Sequence, residues 1–172
     1  WDFRGLEQAD KLRVIMTSPE VGKSDLERVG GRIEAIAREI GARRILVDSL
    51  SHFERLSDDP VELRGVLFGF INALKREGLT SVLTRESLAL IGENSSAEEE
   101  VAFVADSYLM LRYVEIESAI RKALLVLKLR GSDHAKDIRQ FEVTPSGIEV
   151  RSKFEGREGI MSGSPRRMAE SF

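Results

Sequence analysis

The stretch RRILVDSLSHF, residues 43–53, decides the fold prediction for this chain. Within it, residues 45–47 form a short apolar run that ends at Asp48. A continuous apolar run of this length is typical of a strand that is buried on both faces of a parallel sheet. The run therefore predicts a buried parallel strand with a carboxylate at its carboxyl end.

Upstream of this run, the sequence predicts a strand followed by a helix. Residues 11–18, KLRVIMTS, place three apolar residues between charges and a Ser-Pro turn and predict a short strand. Ser24 and Glu27 have the spacing of a capping box, so we expect the helix to begin there. Gly41 is placed to end it.

Downstream, strand and helix signals alternate again. The Asp59-Pro60 dipeptide predicts a helix with proline at its first position, and Gly78 predicts its end. Residues 79–87 predict another short strand with a polar end. Residues 88–105 are a looser region, in which the acidic run 98–100 predicts the start of a short helix.

The last third of the chain has the pattern of hairpins. Residues 106–118 and 119–131 are two long strand-like runs, and residues 138–150 predict a shorter pair across the turn at 145–147. This order predicts an α/β fold in which a parallel sheet flanked by helices is extended by antiparallel hairpins at one edge.

Composition limits the class of protein. The chain has 172 residues, of which 42% are hydrophobic, enough for one globular core that we place at residues 1–151. Residues 152–172 are rich in glycine, serine and charge and predict a linker or docking tail. The net charge of -3 argues against a nucleic-acid partner, because no broad basic surface is available for phosphates.

The chain has no cysteine and two histidines, which excludes disulfides and thiolate metal sites. We find no apolar stretch of membrane-spanning length and no signal peptide, so a membrane location is not expected. These features fit a reducing, cytoplasmic compartment.

Asp48 is the first candidate functional residue. In parallel α/β sheets, ligands bind beyond the carboxyl ends of the strands, where one carboxylate can hold a hydrated magnesium ion. The alternative is that Asp48 only caps the following turn. Thr84 and Glu86, at the end of the next predicted strand, could sense a ligand beside it, although polar residues are equally expected in such a loop. His52 is interpreted as an ordinary surface or helix-entry histidine.

A second candidate group lies at the end of the apolar run LLVLKLRGSDH, residues 124–134. Strand alternation places Lys128 and Arg130 on one side and the leucines at 125, 127 and 129 on the other. With His134 close by in sequence, the two cations could bind an anionic group such as a terminal phosphate. The alternative is a strand end with solvated charges.

Residues 21–25, VGKSD, partly match the glycine-rich phosphate loop G-x-x-x-x-G-K-[ST]. Thr17 occupies the position of the first glycine, and Pro19 and Glu20 would lie inside the loop. A missing N–H and a carboxylate both oppose phosphate binding, so a working phosphate loop is not predicted here. Ser24 is assigned to the helix cap instead.

Three stretches together resemble the KaiC-like branch of the RecA-fold ATPases: RRILVDSLSHF at 43–53, the hairpin region 106–150, and EGIMSGSPRR at 158–167. The resemblance runs from Trp1 to about Arg167. The K-x-R-G-x-x-H spacing at the end of the long hairpin is its most specific part, whereas many ATPase families share a strand that ends in Asp.

The resemblance implies roles for these residues. Asp48 would match the Walker B aspartate that helps hold magnesium. Lys128, Arg130 and His134 would match the group that reaches ATP on the neighbouring subunit of a ring, with Ser132 near that nucleotide. It also implies a RecA-type core, Mg²⁺ and ATP as cofactors, and a homo-oligomer that is commonly a hexameric ring.

In that family the phosphate loop and the catalytic glutamate precede a segment that resembles residues 1–14, so we expect the carboxyl-terminal portion of an incomplete domain, inactive alone. In the complete protein, ATP hydrolysis or autophosphorylation would serve signalling or timing. The alternative is a non-catalytic interaction module that docks on or regulates a partner ATPase. A recombination accessory that handles DNA is a weaker alternative, against which the acidic balance argues.

Overall fold

The structure is a computed structural model that describes residues 2–28, 31–86, 104–160 and 166–167. The chain divides into two compact units, residues 1–86 and 87–172. The short helix predicted from the acidic run at 98–100 lies outside the described residues.

The first unit alternates helices and strands around a parallel pair. Its elements are α1 (Phe3–Gln8), α2 (Pro19–Glu27), α3 (Arg32–Glu39), β1 (Arg44–Val47), a 3₁₀ helix (Leu50–Arg55), α4 (Pro60–Arg76) and β2 (Thr80–Leu83). Strands β1 and β2 run parallel, with Arg44 opposite Thr80 and Val47 opposite Leu83. The predicted parallel strand at 45–47 is confirmed.

The prediction that this strand is buried on both faces is wrong. Leu46 is 65% exposed and its cross-strand partner Val82 is 59% exposed, whereas Ile45 and Val47 are half-buried. Within the first unit, one face of the parallel pair is therefore left uncovered.

The strand predicted over residues 11–18 is also wrong. Residues 12–18 are irregular and pair with no strand in the described part of the chain. Val14 is 57% and Met16 is 89% exposed. An apolar run forms a stable strand only where a neighbouring strand accepts its backbone hydrogen bonds, and this segment has none.

The capping box predicted at Ser24 and Glu27 is wrong as well. Helix α2 begins earlier, at Pro19, with Ser18 as its N-cap, and Ser24 lies inside the helix. Ser18 followed by proline satisfies the start rules more completely, because proline at the first helical position has a preset φ and lacks only an N–H that would have no partner.

A second helix, α3, begins where Asp25 caps it. The Asp25 carboxylate accepts the backbone N–H groups of Arg32 and Ile33, both at 2.7 Å. The chain turns so closely here that a Cβ on Gly31 would lie 2.2 Å from the backbone oxygen of Asp25. The single helix predicted from Ser24 to Gly41 is wrong, because α2 ends at Glu27 and α3 begins at Arg32. Gly41, with φ of +62°, follows the end of α3.

Helix α4 matches its prediction. Asp59 is the N-cap and accepts the N–H of Val61 at 2.9 Å, proline opens the helix, and Gly78 with φ of +70° follows its end. Its buried face contains Leu67, Phe70, Ile71, Ala73 and Leu74. The Phe70 ring lies 4.7 Å from that of Phe53, so α4 and the 3₁₀ helix share one core.

The second unit is an antiparallel sheet of four strands in sequence order: β3 (Ser107–Ile116), β4 (Ala119–Leu129), β5 (Arg139–Thr144) and β6 (Gly147–Lys153). Both hairpins are confirmed. The β3–β4 turn consists of Glu117 and Ser118, with φ of 54° and 59°, the left-handed backbone of a two-residue hairpin loop. The mixed α/β class is confirmed.

Residues after Ser152 contribute to this unit. Strand β6 continues to Lys153, Ile160 is 4% exposed and packs against Val114 and Ala123, and Arg157 forms an ion pair with Glu117. A short pair, β7 (Arg157–Glu158) and β8 (Arg166–Arg167), follows. The described part of the predicted linker or docking tail thus includes a residue of the core.

Candidate functional site

Asp48 and Thr84 meet at the carboxyl edge of the parallel pair. Asp48 directly follows β1 and Thr84 directly follows β2. The Thr84 hydroxyl donates to Asp48 Oδ1 at 2.5 Å, and the Thr84 N–H donates to the Val47 carbonyl at 3.0 Å. Parallel strands end at the same edge of a sheet, which explains why two residues so distant in sequence form this contact.

The loops behind this contact are tied together. The N–H of Leu50 donates to the Thr84 carbonyl at 2.8 Å, and the N–H of Glu86 donates to the Ser51 hydroxyl at 2.9 Å. Leu50 is 2% exposed, so the 3₁₀ helix is anchored in the core. Hydrogen bonds at the ends of both strands therefore fix the backbone next to Asp48.

The Asp48 carboxylate is chemically suited to a magnesium ion that takes its other ligands from water and phosphate. Its carboxylate is exposed and carries two oxygens, the hard ligands that Mg²⁺ prefers. No group of three or more His, Cys, Asp or Glu side chains that could hold a metal is found among the described residues. An all-protein cage is thus not formed there, whereas one carboxylate with water and phosphate oxygens matches the usual magnesium site.

The predicted cations lie in the second unit, at the open end of the β3–β4 hairpin. Lys128 is half-buried and opposite Tyr108, and Arg130 directly follows β4. The Arg130 N–H donates to the Asp106 carbonyl at 2.8 Å, and Arg130 Nη1 lies 3.2 Å from Asp106 Oδ1. Arg130 is therefore paired with an acidic residue of its own chain.

A bulge in β4 interrupts the strand alternation predicted for the leucines at 125, 127 and 129. Tyr108 is opposite Lys128 and Leu109 is opposite Val126, so Leu127 is an extra residue. A bulge re-aims the side chains around it. Leu127 is 45% exposed, and Lys128 and Arg130 both lie beyond the bulge, so the bulge does not separate these two cations.

Ser132 and His134 follow in the turn after β4. Gly131 has φ of +77°, which allows the chain to turn, and Ser132 is exposed. His134 is half-buried, its backbone N–H donates to the Asp133 carboxylate at 2.9 Å, and its Nδ1 is buried with no hydrogen-bond partner among the described residues. Arg130, Ser132 and His134 thus share one short segment.

The partial phosphate-loop match is helical. Residues 21–25 lie inside α2, so they present no loop to a phosphate. A hydrogen bond from the Ser18 hydroxyl, and secondarily its own backbone N–H, hold the pKa of Glu20 below its ordinary value. Glu20 is therefore negatively charged at neutral pH at the start of this helix, which opposes phosphate binding there.

His52, interpreted as a surface histidine, is exposed in the 3₁₀ helix. Sequence reasoning missed Asp106 and Ser51. Counting outward from the two-residue turn of the β3–β4 hairpin places Asp106 opposite Leu129. The bulge shifts the register by one residue, so that Ser107 is opposite Leu129 and the next positions outward are 106 and 130. We know of no local signal for the Ser51 contact.

No helix in the described ranges combines the length and the apolar character that crossing a bilayer requires.

Comparisons with known proteins agree with the resemblance seen in the sequence. The family model for the KaiC ATPase matches residues 1–155. The chain is 33% identical over 170 residues to the circadian clock protein KaiC3 of Synechocystis sp., covering 99% of this chain and 33% of that protein. It is 34% identical over 169 residues to the circadian clock oscillator protein KaiC of Thermosynechococcus vestitus, covering 98% of this chain and 32% of that protein. The chain therefore spans about a third of the length of these relatives.

Proposed function

Because this chain belongs to the KaiC family of ATPases, we propose that it forms part of a Mg-ATP site located between subunits of a homo-oligomer. In this proposal Asp48 helps hold Mg²⁺, and Lys128 and Arg130 act on nucleotide bound to a neighbouring copy. The observation that carries the proposal is the 2.5 Å hydrogen bond from Thr84 to Asp48 at the carboxyl edge of the parallel pair.

The hydrogen bond supports a magnesium role because it orients the carboxylate. A hydroxyl that donates to Oδ1 fixes the plane of the carboxylate and still leaves lone pairs on both oxygens for a hydrated cation. Asp48 would hold the Mg²⁺, which would supply positive charge toward the phosphate groups of the nucleotide during phosphoryl transfer.

The position of the cations supports a role toward phosphate. Arg130 is half-exposed at the end of β4, and Lys128 lies two residues before it. A guanidinium binds phosphate oxygens through a planar fork of donors, and a lysine adds a compact charge. In this proposal Ser132 and His134, in the following turn, add polar contacts to the same nucleotide.

Uncovered apolar surface supports assembly. Leu46 and Val82 form an exposed cross-strand pair on the parallel sheet, which in most proteins is covered on both faces. We propose that further polypeptide covers this face in the functional unit and that the assembly is a ring, by analogy with RecA-type cores a hexamer. Hydrolysis or autophosphorylation within it would serve a clock or signalling role, since both relatives are named as circadian clock proteins.

The test uses the protein as its gene encodes it, assayed for Mg-ATP turnover, with native mass spectrometry for assembly. Asp48→Asn should lower turnover about 100-fold or more, because the variant loses the carboxylate ligand of the metal. Asp58→Asn is the matched control, since Asp58 is an exposed aspartate in the loop before α4, and it should change turnover less than about twofold. Equal turnover in the Asp48→Asn and Asp58→Asn variants would refute the magnesium role.

The role of Arg130 has a separate test. Arg130→Ala should reduce turnover at least 100-fold while changing the Kd for Mg-ATP only a few-fold, as for arginines that act on the transition state. Arg151→Ala, which removes an exposed arginine of the same sheet, is the control. Unchanged turnover in Arg130→Ala would remove Arg130 from the site.

A non-catalytic interaction module is the second candidate, favoured by the exposed apolar pair Leu46 and Val82. It predicts no Mg-ATP binding and no turnover in the unaltered protein, together with assembly that does not depend on nucleotide.

A further inference from the structure

We propose that Asp106 is the resting partner of Arg130: its carboxylate holds the guanidinium in the absence of phosphate and releases it when phosphate binds. The inference deepens the proposed function and rests on it, because it requires that Arg130 meets a phosphate group.

The fold places these two residues together. Asp106 is the residue before β3 and Arg130 is the residue after β4, and Ser107 is opposite Leu129 at the end of the antiparallel ladder. Continuing the register by one position makes Asp106 and Arg130 neighbours. The contact is thus a product of the hairpin register and does not depend on a mobile side chain finding a distant partner.

Asp106 holds Arg130 through two separate contacts. Its backbone carbonyl accepts the Arg130 N–H at 2.8 Å, and its carboxylate oxygen lies 3.2 Å from Arg130 Nη1. The first contact fixes the Arg130 backbone whatever the residue at position 106, because it uses main-chain atoms only. Asp106→Asn therefore removes the charge of the second contact while keeping the first and the shape of the side chain.

Exposure makes the side-chain contact exchangeable. The Arg130 side chain is 51% exposed and that of Asp106 is 59% exposed. Ion pairs this exposed are weak because water solvates both partners. A polyphosphate presents several charged oxygens to the guanidinium, so it should displace a single carboxylate from Arg130.

The effect of the Asp106 carboxylate on phosphate binding by Arg130 can be estimated. An exposed ion pair of this kind shifts a binding equilibrium by about two- to fivefold. Without the Asp106 charge, Arg130 should bind phosphate more tightly by that factor. In this proposal Asp106 lowers the affinity of Arg130 for phosphate without contacting the nucleotide.

The sheet offers a matched control. Arg151 Nη2 lies 3.1 Å from Glu142 Oε2, with side chains 50% and 46% exposed. This pair is similar to the Asp106–Arg130 pair in distance and exposure, but Arg151 Nη2 also lies 2.7 Å from Glu149 Oε2, so Arg151 stays paired when Glu142 is changed. Glu142→Gln changes the net charge of the chain by the same amount as Asp106→Asn, so it corrects for the general effect of charge on anion binding.

The experiment titrates the protein as its gene encodes it with sodium tripolyphosphate and follows the Arg130 Nε–H resonance and the binding heat. Asp106→Asn should lower the Kd about two- to fivefold relative to Glu142→Gln. The difference should shrink in 0.5 M NaCl, because salt screens exposed charges. In a background carrying Arg130→Ala, Asp106→Asn should give no tightening beyond that of Glu142→Gln.

The outcomes separate the two proposals. If Arg130→Ala binds tripolyphosphate as tightly as the unaltered chain, or if the unaltered chain does not bind it, the phosphate role of Arg130 fails. If Arg130→Ala weakens binding but Asp106→Asn matches Glu142→Gln, only the resting-partner role fails. Tightening by Asp106→Asn that persists without Arg130 would also overturn it, since the effect would then be general electrostatics. Thermal unfolding of each variant checks that the fold is retained.

Discussion

Replacing Ile160 by alanine should lower the free energy of unfolding of the second unit by about 2.5–3.5 kcal/mol. The substitution removes three carbons from a side chain that is 4% exposed and packed against Val114 and Ala123. At about 0.8 kcal/mol for each buried carbon the transfer term is about 2.4 kcal/mol, and the cavity left behind adds to it. If residues after Ser152 formed only a linker, the same change would cost less than about 0.5 kcal/mol.

Ile148→Ala is the control, because it is the same substitution on the same sheet at a residue that is 64% exposed. Because only about a third of this side chain is buried, the substitution loses about a third of the full transfer free energy. We expect it to lower the free energy of unfolding by less than about 1.5 kcal/mol, including the lower strand propensity of alanine. Urea unfolding measures both, with near-UV circular dichroism reporting on the two tyrosines of the chain, which both lie in β3. Equal midpoints for the two variants would refute the packing of Ile160.

Three further predictions concern local structure. Asp25→Ala removes a cap with two 2.7 Å hydrogen bonds and should cost about 1–2 kcal/mol in urea unfolding, more than Asp59→Ala, whose cap has one at 2.9 Å; the reverse order would contradict this. Ser118→Gly should raise stability by about 0.4–1 kcal/mol, since glycine adopts the φ of 59° without strain, and a lower melting temperature would contradict it. Ser18→Ala should raise the pKa of Glu20 toward 4.5, and NMR titration of the Glu20 side chain measures this change. Because the pKa of Glu20 is depressed in the folded state, its contribution to stability is present above about pH 4.5. That contribution is lost as the pH falls through the folded-state pKa.

Elements whose signals are local could be predicted from the sequence. The Asp59-Pro60 start of α4, its end before Gly78 and the β3–β4 turn each depend on residues within a few positions. The strand that ends at Asp48 belongs to the same class, because an apolar run followed by a carboxylate is visible in a single stretch of sequence.

Elements that depend on distant partners could not. Asp25 caps a helix seven residues later, and no short motif encodes that contact. Residues 12–18 have an apolar run without a strand to pair with. The bulge at Leu127 occurs without glycine or proline, so the sequence did not indicate the change of register there.

The candidate site shows the same division. Asp48, Lys128 and Arg130 were identifiable by residue type and position at strand ends. Their partners were harder to predict: Thr84 was one of several polar residues after β2, and Asp106 becomes visible only once the hairpin register is known. Side-chain partners follow from three-dimensional register, which composition does not contain.

The two-residue loop at Glu117 and Ser118 also has a kinetic consequence. A hairpin with so short a loop closes with little loss of chain entropy, so β3 and β4 should zip outward from it within about 1–10 μs. The parallel pair must first bring Val47 to Leu83 across an intervening helix, so it should form later. Arg130 belongs to the pair of residues farthest from the loop, which forms last and opens first. Its backbone amide hydrogen should therefore exchange faster than those of the residue pairs beside the loop.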